Sequence, residues 1–117
     1  SPDSVAAALA VLASASGRRI FVFGDMLEMG PEGEPAHREV GRAAAEAGVT
    51  RLVAVGELAA LAAEEAGERG VQTAAVDSPE AAAELLRPEL REGDVVLVKG
   101  SRSMGLEHAV EGLADDN

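Results

Sequence analysis

The sequence predicts a three-layer α/β fold, in which a doubly wound, mostly parallel sheet is covered by helices on both faces. Four short runs of apolar and β-branched residues alternate with five Ala- and Glu-rich segments, the pattern of successive strand and helix units. The chain has 117 residues, of which 47% are hydrophobic and 26% charged. This length and composition are typical of one soluble domain, so we expect a single domain over residues 1–117.

The predicted strands are recognised by their apolar character. Three of them are nearly continuous in apolar residues, which favours central strands covered on both faces. The third run along the chain is more mixed and is expected nearer an edge. The four predicted strands are residues 19–23, 51–55, 71–76 and 94–98.

Proline, serine and glycine delimit the predicted helices. Ser78 and Pro79 place a capping hydroxyl and a first-turn proline at one helix start, and Pro88 is expected to bend or stop that helix. Pro35 is expected to open another helix and Gly48 to end it. The predicted helices are residues 4–15, 35–47, 57–66, 79–87 and 104–113, with Gly17 and Gly67 ending the first and third.

The predicted order is one helix followed by four strand and helix pairs, which is a Rossmann-like succession with right-handed crossovers. Doubly wound domains usually begin with a strand, whereas this chain opens on a helix. We therefore expect that the first strand is missing and that the sequence is a piece of a longer chain. A sheet without that strand would expose an edge or gap to pairing. The last residues, 114–117, are expected to be frayed.

The composition excludes several classes of site. The chain has no cysteine, so disulfides, thiolate metal sites and cysteine nucleophiles are absent. Twenty-one acids against ten bases give a formal net charge of -11, which disfavours nucleic acid and anionic membranes as partners. No basic segment followed by an apolar one opens the chain, so we expect a cytoplasmic location and no membrane insertion.

A candidate anion site follows the fourth predicted strand. Lys99 is the only lysine of the chain, and Gly100, Ser101, Arg102 and Ser103 follow it directly. Glycine allows a close backbone approach, and hydroxyls, two cations and a following helix start together favour a carboxylate or a phosphate equally. The alternative is a solvated basic strand end in which a serine merely caps the helix. The pattern is not a phosphate-binding P-loop.

A long loop is predicted over residues 24–34, and loops of this length after a buried strand are usually functional. Asp25 and Glu28 could orient an ammonium group, hold a metal through water, or pair with Lys99 or Arg102. The alternative for Asp25 is a bond to the amides of its own loop. The three apolar side chains of the loop, Met26, Leu27 and Met29, are expected to pack it down.

The two histidines are expected to differ in role. His37 lies near the start of the second predicted helix and could reach the loop, although a lone helical histidine is more often a surface or capping residue. His108 is expected to be structural or solvated, and the pair Asp77 and Ser78 is expected to cap a helix. No arrangement typical of a serine hydrolase, a glycosidase or a metal-binding histidine cluster is present.

Three motifs carry a resemblance to a known family. They are Pro2-Asp3-Ser4, the stretch Gly-Asp-Met-Leu-Glu-Met-Gly at 24–30 with His37 and Gly41 after it, and Val-Lys-Gly-Ser-Arg-Ser at 98–103. With these motifs the chain resembles the C-terminal domain of the Mur ligases over essentially its whole length. The two longer motifs are similar to those of the family branch that adds D-alanyl-D-alanine.

The resemblance implies an ATP-dependent ligase that joins D-alanyl-D-alanine to UDP-N-acetylmuramoyl-tripeptide through an acyl phosphate. In this family the phosphate loop, the magnesium ligands and a modified lysine belong to the central domain, so this domain alone is expected to hold no metal and to be inactive. The C-terminal domain closes over the site and presents the amino substrate. The implied substrate-binding residues are Lys99, Gly100, Ser101, Arg102, Asp25, Met26, Glu28 and His37. The implied nucleotide contacts are Pro2, Asp3 and Ser4, although the family motif Tyr-Asn-Ala-Asn that precedes them is represented here only by Ser1.

Two other functions remain open at this point. One is a free-standing ligand-binding module with a flavodoxin-like or receiver-like architecture, against which the missing first strand counts. The other is the same domain of a related amide ligase, of the cyanophycin or folylpolyglutamate type, which the preferred amino substrate would distinguish.

Overall fold

Helices and strands alternate along the chain in the predicted order. A computed structural model of the protein describes residues 1–114. Of the fraying expected at 114–117, the part at 115–117 lies outside the described residues, whereas Ala114 is the last residue of a helix. The helices are α1 (Pro2–Ala13), α2 (Gly33–Glu46), α3 (Ala59–Glu68), α4 (Pro79–Leu86) and α5 (Glu107–Ala114). The strands are β1 (Arg19–Gly24), β2 (Arg51–Val55), β3 (Gln72–Val76) and β4 (Val95–Lys99). Short 3₁₀ turns occupy Gly30–Glu32, Arg87–Glu89 and Arg102–Met104.

The four strands form one parallel sheet in the order β3-β2-β1-β4. Strand β3 lies at an edge, which confirms the interpretation of its mixed sequence. The expectation that β4 is central is wrong for the described sheet, because β4 pairs only with β1 and its residues are half-buried or exposed. Its apolar residues instead pack against the helix layers on its two faces. An apolar run alone therefore does not distinguish a central strand from an edge strand.

Each face of the sheet carries its own apolar core, because successive side chains of a strand point to opposite faces. Phe21 and Phe23 of β1 lie on the face covered by α1, α2 and α3, with their rings 5.3 Å apart. Ile20 and Val22 lie on the other face with residues of α4 and with Leu106. The three layers of the predicted fold are therefore present, and no helix within residues 1–114 has the length and apolar character needed to cross a membrane.

Several helix bounds differ from the predicted ones. Helix α1 begins at Pro2 rather than at residue 4, because the side chains and backbones of Ser1 and Ser4 form a reciprocal capping box. Helix α3 continues through Gly67, and Gly70, with a φ of 91°, follows it. The predicted last helix is interrupted at Gly105, whose φ of 66° is left-handed.

Other local predictions are confirmed. The Ser78 hydroxyl accepts a hydrogen bond from the amide of Ala81 at 3.0 Å, so it caps α4. A 3₁₀ turn containing Pro88 follows α4 directly.

The loop predicted over 24–34 differs from the prediction. It is shorter than expected, because a 3₁₀ turn starts at Gly30 and α2 starts at Gly33.

Candidate functional site at the carboxyl end of the sheet

The two motifs singled out in the sequence follow neighbouring strands. Strands β1 and β4 are paired, with Phe23 opposite Lys99, so the loop after β1 and the loop after β4 leave the sheet side by side. In open parallel sheets this carboxyl edge is where ligands bind. The predicted site residues of the two loops are therefore brought together.

Hydrogen bonds between the loops centre on Ser101. Its amide donates to the carbonyl of Asp25 at 3.1 Å, and its hydroxyl oxygen accepts from the amide of Leu27 at 2.9 Å. The hydroxyl proton of Ser101 meets no acceptor among residues 1–114 and remains able to bind an anion. The sequence showed two separate motifs, whereas the fold makes them one structure.

Two glycines allow this close approach. A Cβ atom on Gly100 would lie 3.0 Å from the Cα of Gly24 and would overlap the side chain of Leu106. A Cβ on Gly24 would also meet Leu106, at 2.9 Å. Leu106 thus packs over both strand ends, a role that the sequence did not reveal because no local spacing links it to the glycines.

Asp25 is held within the fold rather than presented to solvent. Its carboxylate accepts a hydrogen bond from the Ala59 amide in the first turn of α3, at 2.7 Å, and its own amide donates to the carbonyl of Val55 at 3.3 Å. Gly56, with a φ of 113°, lies directly against this carboxylate. Of the predicted alternatives, an ion pair with Lys99 or Arg102 does not form, and the carboxylate accepts from the start of α3 instead of from its own loop.

Met26 and His37 lie behind the loop. Met26 is 2% exposed and packs in the core, and His37 is fully buried. The imidazole Nε2 accepts from the amide of Met26 at 2.8 Å, and Nδ1 donates to the carbonyl of Gly33 at 2.6 Å. Neither side chain presents surface to a ligand in this conformation, and both support the loop from behind.

Lys99 and Arg102 are free cations. Seven of the nine arginines use their guanidinium groups in hydrogen bonds or ion pairs. The side chains of Lys99, Arg102 and the distant Arg91 make no hydrogen bond or salt bridge with the described residues, and of these three only Arg91 has a longer-range attraction, to Asp94. Lys99 is half-buried and Arg102 exposed. Both line a hollow of about 260 Å³, together with Val98, Gly100, Ser101, Leu106, Glu107 and Val110. Two cations against one carboxylate leave this hollow positively charged in a chain whose formal net charge is -11.

Glu28 has an unusual backbone. Its φ of 62° makes it the one non-glycine residue with a left-handed backbone in the described part of the chain. The residue is exposed, and its carboxylate has no partner there. Left-handed backbone costs an ordinary residue on the order of 1 kcal/mol, and such strain is concentrated at functional sites.

The predicted nucleotide contacts lie at the start of α1. The short segment 14–18 joins α1 to β1, so the two run in opposite directions and Pro2 lies at the carboxyl end of the sheet. Ser4 is occupied by the capping box, whereas the Asp3 carboxylate has no partner among residues 1–114. No cluster of three or more His, Asp or Glu side chains able to hold a metal occurs within the described chain.

A second hollow lies outside the residues that the sequence assigned to the substrate or nucleotide site. It has a volume of about 680 Å³ and lies beyond β2 and β3, between the first turns of α3 and α4. Its charged residues are Glu57 and Asp77, so it offers no cation to an anionic ligand. His108 is exposed and hydrogen-bonds Glu111 at 3.2 Å, as expected of a solvated residue.

Comparison with known proteins points to one family. The family model described as "Mur ligase, glutamate ligase domain" matches residues 1–102. The chain is 37% identical to the UDP-N-acetylmuramoyl-tripeptide--D-alanyl-D-alanine ligase of Mycobacterium leprae, covering 98% of this chain and 26% of that protein. It is 38% identical to the enzyme of the same name from Escherichia coli, covering 97% of this chain and 25% of that protein.

Solved structures agree with this result. A crystal structure of MurF from Acinetobacter baumannii superposes with a TM-score of 0.84 at 30% identity, over 99% of this chain and 26% of that one. MurF from Thermotoga maritima, solved in complex with ADP, superposes with a TM-score of 0.78 at 26% identity, again over 99% and 26%. The chain therefore spans about a quarter of the length of the relatives it matches.

Proposed function

The chain belongs to the family described as Mur ligase, glutamate ligase domain, and from this premise we propose that it is the C-terminal domain of an ADP-forming ligase that adds D-alanyl-D-alanine to UDP-N-acetylmuramoyl-tripeptide. The reaction belongs to the longer enzyme. ATP transfers its γ-phosphoryl group to the tripeptide carboxylate and leaves as ADP. The free amine of the dipeptide then attacks the acyl phosphate, and phosphate and the amine proton are released as the amide bond forms. We place this enzyme in the cytoplasm, where nucleotide-linked precursors are made.

The part assigned to this domain is to hold and present the dipeptide. The observation that carries this assignment is the pair of free cations, Lys99 and Arg102, at the carboxyl end of β4. A dipeptide brings one carboxylate, and charge-assisted hydrogen bonds from ammonium and guanidinium groups to a carboxylate are among the strongest in proteins. Ser101 supplies a hydroxyl donor beside them, and Gly100, without a Cβ atom, lets the loop after β4 lie close to Gly24 and Leu106.

The loop after β1 supplies the other half of the pocket. Glu28, held on the surface by its left-handed backbone, is assigned to the amino end of the dipeptide, whose ammonium it would attract before the proton is lost. Asp25 acts indirectly, because its carboxylate fixes the start of α3 and its carbonyl fixes Ser101. The dipeptide would then lie between one acidic and one basic loop, which sets its direction.

ATP is assigned to the interface with the rest of the enzyme. Among the implied nucleotide contacts, Asp3 has a carboxylate free to accept a ribose hydroxyl, while Pro2 and Ser4 shape the start of α1. The described residues offer no cluster suited to magnesium, so no step of the reaction is assigned to a metal on this domain. Phosphoryl transfer belongs to the parts of the enzyme that this chain does not include.

The amino-substrate preference of the longer ligase tests this proposal. We expect ATP- and tripeptide-dependent ADP release with D-alanyl-D-alanine, none with L-glutamate, and none from the 117-residue chain alone. The control is the same assay without the tripeptide. Turnover with L-glutamate instead of the dipeptide would assign the chain to another branch of the family, and turnover by the isolated chain would overturn the division of labour.

A further inference from the structure

We propose that His37 is a positioning residue, which as a neutral imidazole fixes the shape of the Asp25–Leu27 loop and thereby holds Ser101 beside Lys99 and Arg102. This inference rests on the proposed function, in which that loop pair binds the dipeptide. His37 itself contacts no substrate, because its side chain is fully buried.

The two partners of His37 determine its protonation. A backbone amide only donates and a carbonyl only accepts, so Nε2, which faces the Met26 amide, carries a lone pair, and Nδ1, which faces the Gly33 carbonyl, carries the proton. An imidazolium would present an N–H to the Met26 amide and lose that bond. The geometry therefore requires the neutral tautomer protonated at Nδ1.

The bond to Met26 is the middle one of three. On one side of it the Asp25 carbonyl accepts from the Ser101 amide, and on the other side the Leu27 amide donates to the Ser101 hydroxyl. His37 is on α2, so it links a helix on one face of the sheet to a loop whose other hydrogen bonds run to Ser101 after β4 and, through Asp25, to Val55 and Ala59. Between the two Ser101 contacts, Met26 is held by its buried side chain and by this one backbone hydrogen bond, so the imidazole fixes the orientation of the Met26 peptide.

The burial of His37 makes the bond specific. The ring lies 5.6 Å from that of Phe23, within the apolar core formed with α2. An apolar side chain of similar size would suit this environment, but it would leave the buried amide of Met26 without an acceptor, which is costly. An imidazole in this position thus favours one loop shape over the alternatives.

A pair of variants in the longer ligase tests the inference. We expect His37→Leu to raise the KM for D-alanyl-D-alanine by at least about tenfold while the KM for ATP stays within about twofold. His37→Gln, whose side-chain carbonyl is able to accept from the Met26 amide, should recover most of this loss. Val40→Ala is the matched control, since Val40 is buried in the same helix and core but makes no bond to the loop.

The inference is overturned if folded His37→Leu keeps the wild-type KM, or if Val40→Ala raises that KM as much as His37→Leu does. A second measurement does not need a variant. Long-range 1H–15N spectra of the 117-residue chain should show a neutral His37 with its proton on Nδ1, and a proton on Nε2 would contradict the geometry. If the ligase does not use the dipeptide at all, the proposed function fails, while the tautomer still decides the role of His37 in the loop.

Discussion

The two ends of the sheet use basic residues in opposite ways. At the amino end, Arg18 binds Asp94 through two hydrogen bonds of 3.1 and 2.7 Å, and Arg51 binds both carboxylate oxygens of Glu89 at 2.9 Å. At the carboxyl end, Lys99 and Arg102 have no partner among the described residues.

The paired basic residues at the amino end stabilise the fold, whereas the unpaired ones at the carboxyl end are suited to bind a ligand. The pairs at the amino end join the start of a strand to the segment before β4, and Arg51 is only 6% exposed, so these charges are already satisfied within the fold. The cations at the carboxyl end add no such link and remain available to an anion. In an acidic chain, a free cation beside a strand end is therefore a better sign of a binding site than a basic residue as such.

The largest expected effect is on stability, at the amino end. Glu89→Gln should lower the free energy of unfolding by about 2 kcal/mol, because it leaves the buried Arg51 guanidinium without a counter-charge. The loss stays below the ~3–5 kcal/mol of fully buried pairs, since Glu89 is partly exposed. Chemical denaturation measures it, and Glu92→Gln, an exposed acid without a partner among residues 1–114, is the control. Equal free energies of unfolding for the two variants would show that the ion pair at the amino end of the sheet does not stabilise the fold.

The next effect is on catalysis, at the carboxyl end. Lys99→Ala in the longer ligase should lower kcat/KM for D-alanyl-D-alanine by at least about tenfold, or ~1.4 kcal/mol, with little change in unfolding. Arg91→Ala is the matched control, because Arg91 is an exposed cation whose side chain makes no hydrogen bond or salt bridge in the described chain, but it lies at the amino end. Wild-type kinetics for Lys99→Ala would make Lys99 a solvated cation like Arg91.

A smaller effect is expected from the strained loop. Glu28→Gly should raise the free energy of unfolding by about 0.5–1 kcal/mol and weaken dipeptide binding. Glycine removes the steric cost of the left-handed backbone, and this gain exceeds the additional chain entropy that glycine loses on folding. Glu34→Gly is the control, because Glu34 is exposed in the first turn of α2, where glycine should lower the free energy of unfolding. A destabilised Glu28→Gly variant would mean that the side chain supports the fold instead of the site.

The extent to which these features follow from sequence depends on distance along the chain. The apolar runs of β1 and β2 and the Ser78 cap were predicted because their signals are local. The position of β4 at an edge was not predicted, because an apolar run indicates that helices cover both faces of a strand but does not show which strands pair with it. The motif around Asp25 was recognised as important, but its bond to Ala59 joins residues 34 apart, and no local pattern encodes such a pairing.

The smallest expected effect is the pH dependence of the amino end. The hydrogen bond from Arg18 lowers the pKa of Asp94 below its usual range. A lowered folded-state pKa gives stability that is present above the unfolded pKa of ~3.9 and is lost as the pH falls through the folded value. Asp94→Asn should therefore cost stability at pH ~6 and much less at pH ~2.5 in urea unfolding. An equal cost at both pH values would show that the charge of Asp94 contributes nothing.

The central claim is that Lys99 and Arg102 hold the carboxylate of the incoming dipeptide, and a substrate-side cycle tests it most directly. The longer ligase and its Lys99→Ala variant would each be assayed with D-alanyl-D-alanine and with its C-terminal amide, which lacks the negative charge. If Lys99 binds the carboxylate, the wild type should prefer the free acid by at least about tenfold in kcat/KM, and Lys99→Ala should lose most of that preference. An undiminished preference in Lys99→Ala would show that the carboxylate is held elsewhere.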